Sequence, residues 1–232
     1  MGLHRLFWIP QGLEASHGVY VGYPAEEFYA ILALESHRHK AVIVGEDLGT
    51  VPDEVRPTMT RHGLYSLSVL HYELASNPRT AFQQLPSNSV ASLNTHDMPP
   101  FAAFWEGLDI KQKLELGLLD KVEAQREDRD RRAVKEVLVN FLQEKGGIEQ
   151  TKVDAYTVLK ACLASLSVSP ARVVLVNLED LWLETRPQNI PSTKDEYPNW
   201  RRKARYSLES FCQMSQVLDT LRMIDYLRKQ VR

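Results

Sequence analysis

The sequence predicts an α/β fold in which short buried strands alternate with helices. Two observations predict it: four short apolar runs, several rich in β-branched residues, and helical patterns with recognisable end signals between them. The predicted strands are residues 41–44, 64–72, 89–93 and 173–178. Because helices separate them, the strands are expected to run parallel. An open doubly wound sheet and a (β/α) barrel both fit this pattern, and no G-x-G-x-x-G run follows a strand to indicate a dinucleotide site.

The predicted helices follow from capping signals and apolar spacing. In the first, Pro24 suits the first turn, Glu26 and Glu27 lie at the positive end of the helix dipole, and basic residues gather at the other end. The predicted helical stretches are residues 24–37, 52–61, 111–142, 154–166 and 208–224. The highly charged part, residues 122–137, is expected to be a solvated helix face.

Composition restricts the class of protein. The chain has 232 residues, of which 44% are apolar and 25% charged, and a net charge of −2. The near-balanced charge argues against nucleic acid as a partner. The longest apolar run, residues 28–34, is far shorter than the roughly 20 residues that a membrane span needs. Two cysteines form no disulfide framework or metal motif, so a cytoplasmic location is expected.

Acidic residues follow three of the four predicted strands. The pairs are Glu46 and Asp47, His96 and Asp97, and Glu179 and Asp180. The remaining strand is expected to end in His71, Tyr72 and Glu73. In a barrel, parallel strands deliver these ends to one mouth, where carboxylates repel one another and at least one pKa rises. A general acid facing an ionised carboxylate suits glycoside cleavage.

Each of these pairs also has a purely structural interpretation. Glu46 and Asp47 would then cap the next helix, His96 and Asp97 would share a local loop hydrogen bond, and Glu179 and Asp180 would be solvated. Several aromatic residues are available to pack against sugar rings, although most are expected in the core. They are Trp8, Tyr20, Tyr23, Trp105, Trp182, Tyr197 and Trp200.

Five stretches of the sequence resemble the C-terminal part of the amylomaltase family, the 4-α-glucanotransferases. They are RLFWIPQG at 5–12, GVYVGYPAEEFYAILALES at 18–36, VIVGEDLGTVPDEV at 42–55, NTHDMP at 94–99, and NIPST with EYPNWRRK within 189–203. The resemblance implies a (β/α)8 barrel, of which residues 1–232 supply roughly strands five to eight, with a helical insertion at about 107–168. It also implies retaining transfer of α-1,4-glucan segments between maltooligosaccharides. No cofactor and no metal ion are expected.

The resemblance assigns roles to four residues. Glu46 matches the general acid/base, and Asp97 matches the carboxylate that stabilises the transition state. His96 matches a histidine that contacts the same sugar, and Asn189 lies in a loop that lines the acceptor side. Glu46 and Asp97 are therefore expected to face one sugar ring. Ser192 stands where the family usually has glycine, a substitution that costs free energy if the backbone has positive φ.

One family motif has no counterpart in the sequence. The nucleophilic aspartate of the family lies in an R-I-D-H run just before the stretch matched by residues 2–10, and this sequence contains no such run. We therefore expect the isolated chain to be inactive and to need an N-terminal half of the barrel. A non-catalytic α-glucan-binding or assembly fragment is the alternative, and an α-amylase-like hydrolase is a third interpretation.

Overall fold

The computed structural model describes residues 1–76, 85–149 and 153–231. The chain forms two compact units. The first unit contains Met1–Ser68 and Pro86–Val90, and the second contains Val69–Leu85 and Ala91–Arg232. Helices and a parallel three-stranded sheet make up a mixed α/β fold, which confirms the predicted class, while the partial barrel stays a prediction.

The first unit opens with an antiparallel hairpin that the sequence analysis did not predict. Strand β1, Arg5–Trp8, pairs with β2, Val19–Gly22, in a register that sets Arg5 opposite Gly22 and Trp8 opposite Val19. A short 3-10 turn, Ala15–His17, lies between them. The strands carry apolar residues on both faces and remain largely exposed, so they lack the alternation of apolar and polar residues that identifies a half-buried strand.

Two helices complete the first unit around a small core. Helix α1, Ala25–His39, confirms the first predicted helix and ends at Lys40, which has a left-handed backbone. Helix α2, Val55–Arg61, begins three residues later than predicted. Their buried side chains form one cluster with that of a residue just beyond α2. Its members are Tyr29, Val55, Met59 and Leu64.

The sheet contains β3, Ser66–Val69, β4, Ser89–Ser92, and β5, Val173–Leu175, in the order β3-β4-β5. In the first unit Ser66 N donates to Asn88 O, and in the second His71 N donates to Leu93 O. Both bonds join residues 22 positions apart, and such a constant separation along the chain is what two parallel neighbouring strands show.

The first predicted strand, residues 41–44, is wrong in extent. Only Val44 forms a bridge, a parallel one with Tyr65. Val42 and Val44 are both exposed, so among the described residues this run lacks the cover on both faces that a buried parallel strand needs.

The second predicted strand, residues 64–72, is also too long. Helix α3, Leu70–Ser76, begins directly after β3. Leu70 and Leu74 are fully buried at a spacing of four residues, so burial on one helical face determines this part of the chain. His71, Tyr72 and Glu73 therefore belong to a helix and not to a strand end.

The other helices all belong to the second unit. They are α4 Phe101–Glu106, α5 Leu108–Glu115, α6 Lys121–Glu144, α7 Ala155–Ser167, α8 Leu178–Leu181, α9 Leu208–Phe211 and α10 Ser215–Gln230. The predicted helix at 111–142 is two helices, because Gly117 has a φ of 71° between α5 and α6. Asp120 starts α6 with a reciprocal capping box involving Glu123, and Asp154 caps α7 through Thr157 N at 2.8 Å.

The main core of the second unit lies between α4, α6, α7 and α10. Leu138 and Leu142 of α6 pack with Leu159 and Leu163 of α7, and all four are at most 2% exposed. The charged part of α6 is mostly exposed, as predicted. Across the described ranges, no helix combines the length and apolar character that a membrane crossing demands.

Candidate functional site

Glu46 lies in a loop of the first unit, two residues after the bridge at Val44. Its side chain is exposed, and Oε1 accepts a hydrogen bond from Leu48 N at 2.7 Å. The alternative role as a helix cap is wrong, since α2 has Glu54 at its N-cap without a side-chain bond. Glu46 therefore presents an accessible carboxylate from a short turn.

Asp47 fixes the backbone beside Glu46. Its carboxylate is buried and accepts hydrogen bonds from Leu67 N at 2.9 Å and from Arg56 Nε at 3.1 Å. Arg56 Nη2 also donates to the carbonyl oxygen of Asp47 at 2.8 Å. The second acidic residue of this pair thus ties the loop to β3 and α2 and leaves Glu46 as its exposed partner.

Three predicted site residues come together in the second unit. Asp97 lies in the loop between β4 and α4, and its Oδ1 accepts a hydrogen bond from Asn189 Nδ2 at 2.6 Å. His96 Nε2 lies 3.3 Å from Asp97 Oδ2, and both side chains are substantially exposed. The cluster offers a carboxylate, an imidazole and an amide, which together can bind sugar hydroxyls as donors and acceptors.

A buried carboxylate anchors both ends of the loop that carries Asp97. Asp180 Oδ2 accepts from Asn94 Nδ2 at 2.8 Å, and Oδ1 accepts from Phe101 N at 2.6 Å. Burial raises the pKa of Asp180 to about 6, although the two hydrogen bonds act in the opposite direction. A carboxylate pKa is therefore raised at Asp180, but its main cause is burial and not the expected repulsion among carboxylates, to which the charge of Glu179 adds only a minor part.

The suggestion that Glu179 and Asp180 are solvated is wrong. Glu179 Oε1 forms an ion pair with Arg202 Nη2 at 2.8 Å, and the side chains of both residues are mostly buried. Arg202 Nη1 also lies 3.4 Å from Glu184 Oε2. A cation shared by two carboxylates offsets the cost of burying them. This pair therefore holds the segment around Arg202 against α8.

Asn199 organises the loop that contains Asn189. Its Oδ1 accepts from Ile190 N at 2.9 Å, and its Nδ2 donates to Thr193 Oγ1 at 2.9 Å and to Thr193 O at 3.2 Å. Ser192, within this loop, has a φ of 69°, which confirms that the position suits glycine. One side chain thus fixes the loop next to Asn189.

His71 does not belong to this site. Its ring is buried and stacks on Phe104 with the ring centroids 4.3 Å apart. Burial lowers the pKa of His71 to about 3, with a smaller contribution from the charge of Arg131. The expected cluster at residues 71–73 is therefore replaced by a neutral core histidine. Among the described residues, no group of three His, Cys, Asp or Glu side chains is placed to hold a metal ion.

A family model covers most of the sequence. The model of glycoside hydrolase family 77, the 4-alpha-glucanotransferases, matches residues 1–209. The chain belongs to this family. The match includes all four residues to which the resemblance assigns roles.

Curated 4-alpha-glucanotransferases are longer than this chain. The one from Haemophilus influenzae is 36% identical over 211 residues, which cover 88% of this chain and 30% of the relative. The one from Mycobacterium tuberculosis is 38% identical over 208 residues, covering 87% of this chain and 28% of the relative. This chain therefore spans less than a third of the length of these relatives.

Solved structures share the fold of this 4-alpha-glucanotransferase family member. Amylomaltase from Corynebacterium glutamicum superposes with a TM-score of 0.84 at 23% identity, covering 96% of this chain and 34% of that protein. Amylomaltase from Streptococcus agalactiae in complex with acarbose gives a TM-score of 0.69 at 16% identity, covering 98% of this chain and 40% of that protein.

Sequence reasoning identified the predicted site residues of this family member. It missed the structural role of the buried or partly buried polar residues that stabilise their loops. Asp47 is the neighbour of Glu46 and bonds to Leu67 N, Asp180 bonds to both ends of the loop that carries Asp97, and Asn199 bonds to Ile190 beside Asn189. Asp47 and Asp180 did appear as strand-end carboxylates, and Asn199 lies in the matched run PNWRRK. A signal was therefore present, but their burial was not visible from spacing.

Proposed function

We propose that this chain forms part of a 4-α-glucanotransferase that transfers α-1,4-glucan segments between maltooligosaccharides with retention of configuration. The observation that carries the proposal is the match of the family model to residues 1–209. The cluster of His96, Asp97 and Asn189 supports it, because its donors and acceptors suit a polyhydroxylated ligand. The acarbose bound to the Streptococcus agalactiae amylomaltase is an oligosaccharide analogue and agrees with this ligand class.

In this proposal Glu46 is the general acid/base. It protonates the glycosidic oxygen while a carboxylate nucleophile attacks the anomeric carbon, and it then removes a proton from the acceptor hydroxyl as the sugar is transferred. An exposed carboxylate held in a turn by Leu48 N is consistent with proton exchange at this position.

The other assigned residues hold the sugar. Asp97 binds hydroxyls of the reacting ring and stabilises the positive charge that develops on it, while His96 contacts the same ring. Asn189 contacts the acceptor side and orients Asp97 through their hydrogen bond. This scheme needs no cofactor or metal ion.

None of the family motifs matched in this sequence contains the carboxylate nucleophile that the scheme needs. We propose that an N-terminal half of the barrel supplies it. The hairpin of the first unit supports such a partner, because a cluster of large apolar side chains lies exposed on it. They are Leu6, Phe7, Trp8, Val19, Tyr20 and Val21, each 40–61% exposed.

We place the enzyme in the cytoplasm, which agrees with its unpaired cysteines, Cys162 and Cys212.

The test compares the chain alone with the chain mixed with the N-terminal portion of the Haemophilus influenzae relative. Glucose and longer maltooligosaccharides formed from maltotriose are separated by chromatography. We expect transfer in the mixture only. Glu46→Gln should lower that rate by at least about 100-fold, whereas Glu54→Gln, an exposed carboxylate change in the same unit, should leave it unchanged. Full activity of the Glu46→Gln mixture would contradict the assignment of the acid/base.

A non-catalytic α-glucan-binding or assembly fragment is the second candidate. The observation that favours it is the coverage of only 28–30% of the relatives' length. It predicts that the mixture binds maltoheptaose without forming new oligosaccharides. Transfer by the mixture would exclude this candidate, and transfer by the chain alone would exclude the need for a partner.

A further inference from the structure

Trp200 is held outward in a backbone conformation that its side chain disfavours. Its φ is 60°, in the left-handed region that L-residues with a Cβ rarely adopt, and its side chain is 60% exposed. Because most of this indole is exposed to solvent, burial contributes little free energy to its position, and core packing does not explain the strained backbone. Strain of this kind persists only where the surrounding structure imposes it, and it concentrates at functional sites.

The surroundings of Trp200 are firmly bonded. Trp200 N donates to Gln188 O at 2.9 Å. The preceding residue, Asn199, bonds to Ile190 through its side chain, and Arg202 lies in the ion pair with Glu179. The flanking residues are therefore fixed on both sides, and the indole is the part of the segment that remains exposed.

Trp200 also lies next to the polar cluster. Its ring centroid is 5.4 Å from that of His96, with the planes at 54°. His96 in turn lies 3.3 Å from Asp97. All three residues belong to the second unit, so the indole extends the cluster of carboxylate, imidazole and amide with a flat apolar surface.

This combination matches the chemistry of a glucan. A pyranose ring presents hydroxyls at its rim, which bind polar side chains, and C–H groups on its faces, which pack on aromatic rings. We propose that Trp200 is a substrate-binding residue whose indole stacks on a glucosyl unit adjacent to the one held by Asp97. The inference rests on the proposed function and adds to it a residue that recognises the length of the oligosaccharide.

Length dependence follows from this position. A ligand that reaches only Asp97 gains nothing from the indole, whereas a longer chain contacts both. Loss of the indole should therefore weaken binding of maltoheptaose more than binding of glucose, which has no second unit to reach the indole. An effect on folding alone would not discriminate between the two ligands.

The experiment measures Kd of the full chain for maltoheptaose and for glucose by calorimetry. We expect Trp200→Ala to raise Kd for maltoheptaose by about 10-fold, and Trp200→Phe, which keeps an aromatic face, to raise it by no more than about 3-fold. Tyr226→Ala removes an exposed aromatic ring from α10 and serves as the matched control with unchanged Kd. Circular dichroism checks that the variants are folded.

A second measurement needs no variant. Acrylamide quenches exposed tryptophans, and saturating maltoheptaose should protect part of the fluorescence of the wild-type chain, but not that of Trp200→Phe. An equal Kd for wild type and Trp200→Ala, or loss of binding in Trp200→Phe as large as in Trp200→Ala, would overturn the inference. So would failure of the wild-type chain to bind maltoheptaose. In any of these three cases, transfer by the mixed enzyme would leave the proposed function intact.

Discussion

Asn189 donates a hydrogen bond to Asp97 at 2.6 Å, although 92 positions separate the two residues in the sequence. Asp97 comes from the loop after β4, and Asn189 from the loop that Asn199 holds. Two motifs that are distant in the chain are therefore joined by one bond to a carboxylate. Such a bond contributes about 1.5–3 kcal/mol when the acceptor is ionised.

The first prediction concerns this bond. Asn189→Asp sets a second carboxylate against Asp97, so the two side chains repel each other and the cluster opens. We expect at least about a 10-fold rise in Kd for maltoheptaose, and a smaller rise for Asn189→Ala. Asn88→Ala, which removes a long 3.4 Å bond to Thr60, is the control and should leave Kd unchanged. Equal Kd values for Asn189→Asp and wild type would contradict the prediction.

The second prediction uses the strain at Ser192. A serine with a φ of 69° costs about 1 kcal/mol relative to glycine, which adopts this backbone readily. Ser192→Gly should therefore keep or raise the free energy of unfolding in urea, despite the greater flexibility of glycine in the unfolded chain. Ser16→Gly, in the exposed 3-10 turn, has no such strain to relieve and should be destabilising. The result is contradicted if both variants lose the same free energy.

The sequence identified local features better than tertiary ones. The start of α1 was predicted from Pro24 and the acidic residues after it, because the residue preferences of the first helical turn are local. The strand at 64–72 was predicted too long, because tertiary burial of Leu70 and Leu74 on one face favours a helix there. Propensity within a short apolar run cannot separate these two states.

The candidate site divides in the same way. Asp97, His96 and Asn189 were identified from their motifs, and the structure brings them together. The role of Asp180 was not predictable, because its hydrogen-bond partners Phe101 and Asn94 lie 79 and 86 positions away in the sequence. Spacing shows which residues follow a strand, whereas burial determines which of them remain accessible to a ligand.

The third prediction concerns acid stability and His71. The pKa of His71 is about 3 in the folded chain and near 6.5 when unfolded, so between these values only the unfolded chain binds the proton. Stability should therefore fall as pH drops below 6.5, by about 2 kcal/mol from this group between roughly pH 7.5 and pH 5. The variant His71→Phe keeps an aromatic ring packed on Phe104 and should not show this loss of stability at low pH.

The measurement for His71 is urea unfolding at the two pH values. Replacing the ring also removes Nε2, which is buried and has no hydrogen-bond partner among the described residues. His17→Gln, an exposed histidine change, is the control and should keep the pH dependence of the wild type. A His71→Phe variant with the same pH dependence as wild type would show that this ring does not cause it.

The fourth prediction concerns Asp180, whose effect on the pH dependence of stability has the opposite sign to that of His71. Burial raises its pKa from 3.8 to about 6, so between these values the folded chain binds the proton more tightly than the unfolded chain. The contribution of Asp180 to stability is therefore full below pH 3.8 and is lost as pH rises through about 6, a change of about 3 kcal/mol.

Asp180→Asn removes this titration and keeps the shape of the side chain. The amide nitrogen of the new side chain is a donor, and it must face one of the two donors Asn94 Nδ2 and Phe101 N. One hydrogen bond is therefore lost at every pH, at a cost of about 1–3 kcal/mol. The free energy of unfolding of the variant, relative to wild type, should nevertheless rise by about 2.5 kcal/mol between roughly pH 4 and pH 7. Asp195→Asn, an exposed change in the same unit, should give a difference that does not vary with pH. If Asp180→Asn behaves like that control, the buried carboxylate does not titrate in this range, and its two hydrogen bonds outweigh its burial.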